Sequence, residues 1–275
     1  MHLAIIMDGN GRYGKSKYGI RSLGHKDGAE KLYEICKWCP ELNVDYLTVY
    51  AFSTENWKRS KEEVDFLMKL FEDMFNKYII ESKENNIKIN VIGDKTVFSK
   101  KMQNLIEKSE EITKDCTGLT LNIALNYGGR DEIVRCTKKI IKEGITPEEL
   151  NEKVFSNYLD TKNIPDVDLM IRTGGEYRLS NFLLWQLSYS ELYFSPTLFP
   201  EFSQKELKEI IDSFKKRDRR FGGVKAWIDF IQVFYITKKK WECKKLCVKL
   251  PIHGNKDIWD WLYHSLFVTI IIQIE

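Results

Sequence analysis

The sequence predicts an α/β fold, a mostly parallel central sheet flanked by helices. Short apolar runs alternate with helical stretches along most of the chain. The 275 residues, 43% apolar and 30% charged, suffice for one large domain with a full core. The first strand, 2–8, is the run His2-Leu3-Ala4-Ile5-Ile6-Met7, and further runs place strands at 44–51, 87–92, 119–126, 167–172 and 182–185. Helices fit between them at 27–42, 61–83, 98–114, 129–142, 147–158 and 203–216. In the second of these, Val64, Leu67, Met68, Phe71, Met74, Phe75 and Tyr78 recur at helical spacing. Packing against the sheet accounts for most of that stripe. No internal repeat or low-complexity linker interrupts the pattern.

Charge is balanced over residues 1–224, and the net +3 lies in the tail, 225–275. A neutral body argues against bulk nucleic-acid binding, which needs a broad basic face. Six cysteines occur, and the chain opens directly in a strand with no leader ahead of it. These features predict reduced thiols in a cytoplasmic protein. Cys36-Lys37-Trp38-Cys39 and the Cys243/Cys247 pair invite a zinc reading, but the first sits inside a predicted helix and the second in the atypical tail. The tail holds Trp227, Trp241, Trp259 and Trp261, and neither of its apolar runs reaches the roughly 18 residues of a spanning helix. Two accounts of it stand side by side. Lys238-Lys239-Lys240 between apolar stretches suits an anionic membrane surface, with the protein peripheral there. A non-homologous extension from a shifted reading frame fits equally.

The first strand runs without a spacer into Asp8-Gly9-Asn10-Gly11-Arg12. Glycines admit backbone N–H groups to a ligand, and a carboxylate can hold a divalent cation. Gly9 to Gly14 matches the dinucleotide fingerprint G-x-G-x-x-G literally. Its context fails: residues 15–20 show no apolar helical stripe, and no second strand ends in an acidic residue about 20 positions on.

Other segments follow in order: Gly24-His25-Lys26, the run Tyr50 to Arg59, Asn126-Tyr127-Gly128-Gly129-Arg130, the run Ile171 to Phe182, Glu191-Leu192-Tyr193-Phe194, and Arg219-Arg220-Phe221-Gly222-Gly223. Together with the aspartate loop they closely resemble the cis-prenyltransferases, the family of undecaprenyl diphosphate synthase and its eukaryotic dolichol counterpart. The resemblance covers residues 2 to about 223. One such motif is weak evidence; the ordered set is very specific. It implies the same sheet architecture, with the helix at 61–83 walling an apolar tunnel for a growing chain. It divides the chain into a catalytic domain, 1–224, and an atypical extension, 225–275.

The resemblance also implies the site. Asp8 and Glu191 are the acidic partners of Mg²⁺, and Asp8 is also catalytic. Gly9, Asn10, Gly11 and Arg12 cradle the allylic diphosphate, with Arg21 and His25 on the same group. His25 directly precedes a predicted helix, which favours an anion. Arg172, Arg178 and Ser180, with Leu179 between them, match the isopentenyl diphosphate site; guanidinium forks suit a diphosphate. Ser53, Thr54, Glu55, Trp57 and Arg59 line the substrates, and Asn56 takes part in removing the C2 proton. A carboxamide is a very weak base, so Asn56 is expected to orient that proton rather than accept it. Blander roles exist for several: a turn cap for Asp8, an exposed acid for Glu191, a helix cap for His25, core packing for Trp57. Tyr13 stands where the family usually has tryptophan, and Tyr177 where several members have histidine.

The implied activity is Mg²⁺-dependent addition of isopentenyl diphosphate to farnesyl diphosphate in Z geometry, giving undecaprenyl diphosphate. Alternatives are a dolichol-type or short-chain product, or a non-catalytic partner subunit. The last lacks the aspartate loop, whereas Asp8, Asn10, Arg12 and His25 are all present here. The chain has no Asp-Asp pair, which excludes the all-helical trans-prenyltransferases. A homodimer is implied by the Arg220-Phe221-Gly222 element, and transient membrane-surface contact by the apolar product.

Overall fold

The computed structural model describes residues 1–217. The expectations for the tail, its cysteines and tryptophans, and Arg220-Phe221-Gly222 lie outside the described residues. Strands β1 (His2–Ile6), β2 (Tyr46–Ser53), β3 (Lys88–Ile92), β4 (Thr120–Tyr127), β5 (Leu169–Arg172) and β6 (Glu191–Phe194) form one sheet in the order β3-β4-β2-β1-β5-β6. Every pairing is parallel. The helices are α1 (Asn10–Tyr18), α2 (Arg21–Trp38), α3 (Lys61–Glu84), α4 (Lys100–Thr113), α5 (Gly129–Glu143), α6 (Glu152–Ser156) and α7 (Gln204–Lys215).

β1 is central and buried at every residue. A strand covered on both faces needs apolar side chains on both, so it reads as a continuous run rather than an alternation. Leu3 and Ile5 pack in a core with Ile35, Leu207 and Ile211, while Ala4 and Ile6 join Met170, Tyr127 and Phe182. A third core unites Leu67 and Phe75 of α3 with Met102 and Ile106 of α4 and Ile89 and Val91 of β3.

Four elements depart from the sequence expectations. Residues 15–20 carry no apolar helical stripe, yet Asn10–Tyr18 is the helix α1. Its buried residues are Gly11 and Gly14, so it packs by backbone rather than by apolar side chains. A Cβ on Gly14 would come within 2.5 Å of the Gly24 nitrogen, and one on Gly24 within 2.0 Å of the Asn10 carbonyl oxygen. α2 begins at Arg21, so His25 sits within a helix instead of before one. Residues 182–185 form no strand; Phe182 and Leu183 are apolar because they fill the core. The sixth strand is Glu191–Phe194, a four-residue sheet-edge strand only partly buried. The helix expected at 147–158 shrinks to α6.

A buried polar chain crosses four strands. The Nδ1–H of His2 donates to the Pro165 carbonyl at 2.7 Å, and its Nε2 accepts from the Thr48 hydroxyl at 2.7 Å. Thr48 Oγ1 accepts from Asn122 Nδ2 at 3.1 Å, and Asn122 Oδ1 accepts from Asn90 Nδ2 at 2.9 Å. Burial lowers the His2 pKa, outweighing the opposing pull of Pro165 and Asp168. His2 therefore binds its proton less readily folded than unfolded. Its contribution to stability is complete above the unfolded pKa near 6.5 and is lost as pH falls below it, by at most about 1.4 kcal/mol per pH unit. Urea midpoints measured from pH 7.5 to 5 are expected to fall below pH 6.5. The slope should be shallower in His2→Gln, which keeps one donor and one acceptor. An identical slope in the variant would contradict the assignment.

Candidate active site

The chain leaves β1 for β2 on one side and later returns to β5 on the other. At such a reversal the connections after neighbouring strands diverge, opening a crevice beyond the strands' carboxyl ends. A cleft of about 640 Å³ lies there, beyond β1, β2 and β5.

Asp8 and Arg172 form its centre. Asp8 follows β1, and Arg172 ends the neighbouring β5 opposite Ile6. Arg172 Nη2 donates to Asp8 Oδ2 at 2.9 Å, and Arg12 Nη2 lies 3.3 Å from Oδ1. Arg172 is 4% exposed, and its Nη1 donates to Ser180 Oγ at 2.8 Å and to the Arg178 carbonyl. Burial acts to raise the Asp8 pKa, but the Arg172 hydrogen bond and the Arg172 and Arg12 charges outweigh it. The carboxyl is held below the usual range and is ionised at neutral pH. Asp8 is thus a hard, charged oxygen donor facing the cleft. Among the described residues no three acidic, histidine or cysteine side chains cluster to enclose a metal. A cation here would take one carboxylate from the chain and its remaining ligands from phosphate and water, an arrangement that suits Mg²⁺.

The 53–59 segment forms a short 3-10 turn at the end of β2. Ser53 N–H donates to Asn56 Oδ1 at 3.0 Å, which fixes the amide so that its oxygen is engaged by backbone. The group Asn56 has left to offer is its NH₂, a donor, in keeping with an orienting role. Ser53, Glu55, Asn56 and Arg59 line the cleft. Burial works to raise the Glu55 pKa, and a hydrogen bond from Asn181 leads the effects that bring it below the ordinary value.

Asn10 and His25 line both this cleft and an apolar cavity of about 130 Å³ enclosed by α2, α3 and the sheet. Burial, and after it the charge of Arg59, push the His25 imidazole down to about 4, so it is neutral at pH 7. Met7, Ala51 and Leu67 complete the border shared by the two spaces. The cavity follows α3 from Leu67 to Ser82, roughly 22 Å of helix. Tyr33 and Tyr78 are in its wall, their rings 4.3 Å apart. Leu67, Phe71, Met74, Phe75 and Tyr78 of the predicted stripe line it.

Other expected residues stand around the cleft rather than in its wall. Gly9 has φ 107°, and a Cβ there would come within 2.9 Å of the Leu198 Cα. Gly11 makes room for the Arg21 guanidinium, which an added Cβ would meet at 2.8 Å. Tyr13 accepts from Lys17 at 2.6 Å. Thr54 abuts Gly128, and Leu179 packs on the core. Trp57 donates to Asn126 at 2.8 Å and packs edge-on against Phe52, with its side chain 40% exposed. Glu191 is not brought to Asp8 within one chain. It pairs with Leu169 at the amino end of β5, whereas Asp8 lies beyond the carboxyl end of β1, and its carboxylate is bound by Arg217. Sequence reasoning missed Tyr50 and Asn181, which also line the cleft. Tyr50 donates to the Tyr127 and Ser180 carbonyls at 3.1 and 3.3 Å. Both residues stood within quoted motifs, and that was their only signal.

The family model described as putative undecaprenyl diphosphate synthase matches residues 6–222. An isoprenyl transferase of Wolinella succinogenes is 51% identical over 223 residues, 81% of this chain and 96% of that protein. The (2E,6E)-farnesyl-diphosphate-specific ditrans,polycis-undecaprenyl-diphosphate synthase of Pasteurella multocida is 48% identical over 226 residues, 81% of this chain and 94% of its own. Among solved structures, lavandulyl diphosphate synthase from Lavandula x intermedia, in complex with dimethylallyl diphosphate, superposes with a TM-score of 0.76 at 37% identity, covering 80% of this chain and 97% of that one.

Proposed function

The chain belongs to the undecaprenyl diphosphate synthase family of prenyltransferases, and we propose on that premise that it adds isopentenyl diphosphate to farnesyl diphosphate in Z geometry to give undecaprenyl diphosphate. The observation that carries this reading is that a polar, arginine-bearing cleft adjoins an apolar cavity across a shared border of Met7, Asn10, His25, Ala51 and Leu67. The polar lining of the first space suits a diphosphate, and the apolar lining of the second suits prenyl hydrocarbon.

In the reaction the allylic C–O bond breaks, a C–C bond forms to the alkene of isopentenyl diphosphate, and a C2 proton leaves. The barrier is charge separation at the departing diphosphate. Gly9, Gly11 and the first turn of α1 present backbone N–H groups to it, with Arg12, Arg21 and neutral His25 as further donors. Arg172, Arg178 and Ser180 hold the second diphosphate and fix the alkene. The Asn56 NH₂ orients a diphosphate oxygen towards the C2 proton. Asp8 would hold Mg²⁺, which would supply charge to offset that of the departing diphosphate. Glu191 enters this scheme only if a second copy of the chain brings it near, in the homodimer that the reading includes. Among the described residues no helix is long and apolar enough to cross a membrane; release of so apolar a product calls for contact with a membrane surface.

The test is incubation with farnesyl diphosphate, labelled isopentenyl diphosphate and Mg²⁺, with and without EDTA, and products separated by length. A metal-dependent ladder ending at the undecaprenyl length is expected. A shorter or longer end point would retain the enzyme and change its product. No product from folded protein would favour a non-catalytic subunit. The cavity makes a further prediction. Ala29 is a small residue in its wall, one helical turn beyond His25. Ala29→Phe is expected to shift the ladder to shorter products while the first condensation continues; an unchanged ladder by thin-layer chromatography would remove the cavity from the reading.

A further inference from the structure

We infer that Asn181 is a positioning residue that locks the loop bearing Ser53, Glu55 and Asn56 to the loop bearing Arg178 and Ser180. Three of its groups are bonded to two different segments. Its carbonyl accepts from Gly129 N–H at 2.7 Å, and its Oδ1 accepts from Arg130 N–H at 2.9 Å. Both N–H groups belong to the first turn of α5, where a helix supplies no partner of its own. With Oδ1 committed, the amide cannot flip, and Nδ2 donates to Glu55 Oε1 at 3.0 Å. Gly128 leaves the room for this amide: a Cβ there would lie 2.7 Å from Asn181 Nδ2.

The backbone around Asn181 needs such an anchor. Ser180, Asn181 and Leu183 have φ of 50°, 64° and 42°. Left-handed non-glycine residues cost energy and persist where their surroundings hold them. Asn tolerates the conformation and supplies a donor and an acceptor on one short rigid side chain. The motif Asn126–Arg130, to which the proposed mechanism gives no task, thereby acquires one: it presents the two N–H groups that seat Asn181. On the reading proposed above, one loop carries Asn56, which acts on the C2 proton, and the other holds isopentenyl diphosphate, so the lock fixes how that proton is presented.

The experiment compares wild type, Asn181→Asp, Glu55→Gln and the double variant. Asn181→Asp keeps the acceptor towards α5, whose N-terminus favours a carboxylate, but sets two carboxylates against each other. It should fold and lose about tenfold or more in kcat/KM in the wild-type background, but lose much less in the Glu55→Gln background, where a donor–acceptor pair is restored. No loss in the first background, or an equal loss in both, overturns the inference. Hydrogen exchange gives a readout that needs no turnover. Peptide 53–59 should exchange about tenfold faster in Asn181→Asp and return towards wild type in the double variant, while α4 stays unchanged. If 53–59 does not respond, the lock does not exist, whatever the activity. A wild type that makes no product would count against the proposed function, and the exchange result would still decide this point. Should Asn181→Asp fail to fold, Asn181→Ser removes the donor to Glu55 without adding charge, and the same exchange measurement applies.

Discussion

Asp8→Asn is expected to leave a folded protein whose kcat/KM falls by roughly a thousandfold, about 4 kcal/mol of transition-state stabilisation. The substitution removes the one carboxylate that the centre of the cleft offers a hard cation, and with it the countercharge between Arg172 and Arg12. The fold should survive because the amide oxygen still accepts from Arg172, and Arg172 keeps Ser180 and the Arg178 carbonyl. We expect a stability loss on the order of 1–2 kcal/mol, below the 3–5 kcal/mol of a buried charge stripped of its partner. Asp8→Ala removes that acceptor as well and should cost more stability for the same loss of turnover. Turnover at saturating Mg²⁺ and a urea titration measure the two effects separately. Wild-type turnover in Asp8→Asn would sink the assignment of Asp8.

Arg172→Lys is expected to raise KM for isopentenyl diphosphate by about ten- to a hundredfold, with a smaller change in kcat. Arg172 touches Asp8, Ser180 and the Arg178 carbonyl at once with a planar fork. A lysine ammonium is a single point on a flexible stem and cannot span those partners. The same change at Arg178, whose side chain is largely exposed and paired with Glu176, should be milder. Steady-state kinetics with isopentenyl diphosphate as the varied substrate decides between them. Equal KM values for wild type and Arg172→Lys would place the second diphosphate elsewhere.

The sequence revealed those features in which side chains carry the signal. β1, β2, β3, β4 and β5 read as apolar runs because buried parallel strands need apolar groups on both faces. α3 read as a stripe because one face meets the sheet. α1 was missed because its contact surface is glycine backbone against Gly24, which periodicity cannot register. β6 was missed because four residues at a sheet edge carry little pattern, while Phe182 and Leu183 mimicked a strand by filling the core without forming one. The cleft was legible as a set of motifs, and Asp8, Arg172 and Ser180 do converge. Their convergence depends on the β1–β5 register, a long-range pairing absent from any local window. Glu191 shows the reverse, a motif residue that the β5–β6 register carries to the other end of the sheet. Asn181 and Tyr50 hold loops together through contacts with residues far along the chain, so spacing gave no hint of their work.

The shared border of cleft and cavity has a kinetic consequence. On the proposed reading, each condensation pushes another five-carbon unit past Ala51 and Leu67 into apolar surroundings. Burying hydrocarbon stabilises the bound chain by about 0.8 kcal/mol per methylene-sized group, so each unit adds a few kcal/mol of grip. Dissociation therefore slows as the chain lengthens while the diphosphate returns to the same place. Elongation becomes processive without any clamp or moving lid, and short intermediates stay on the protein.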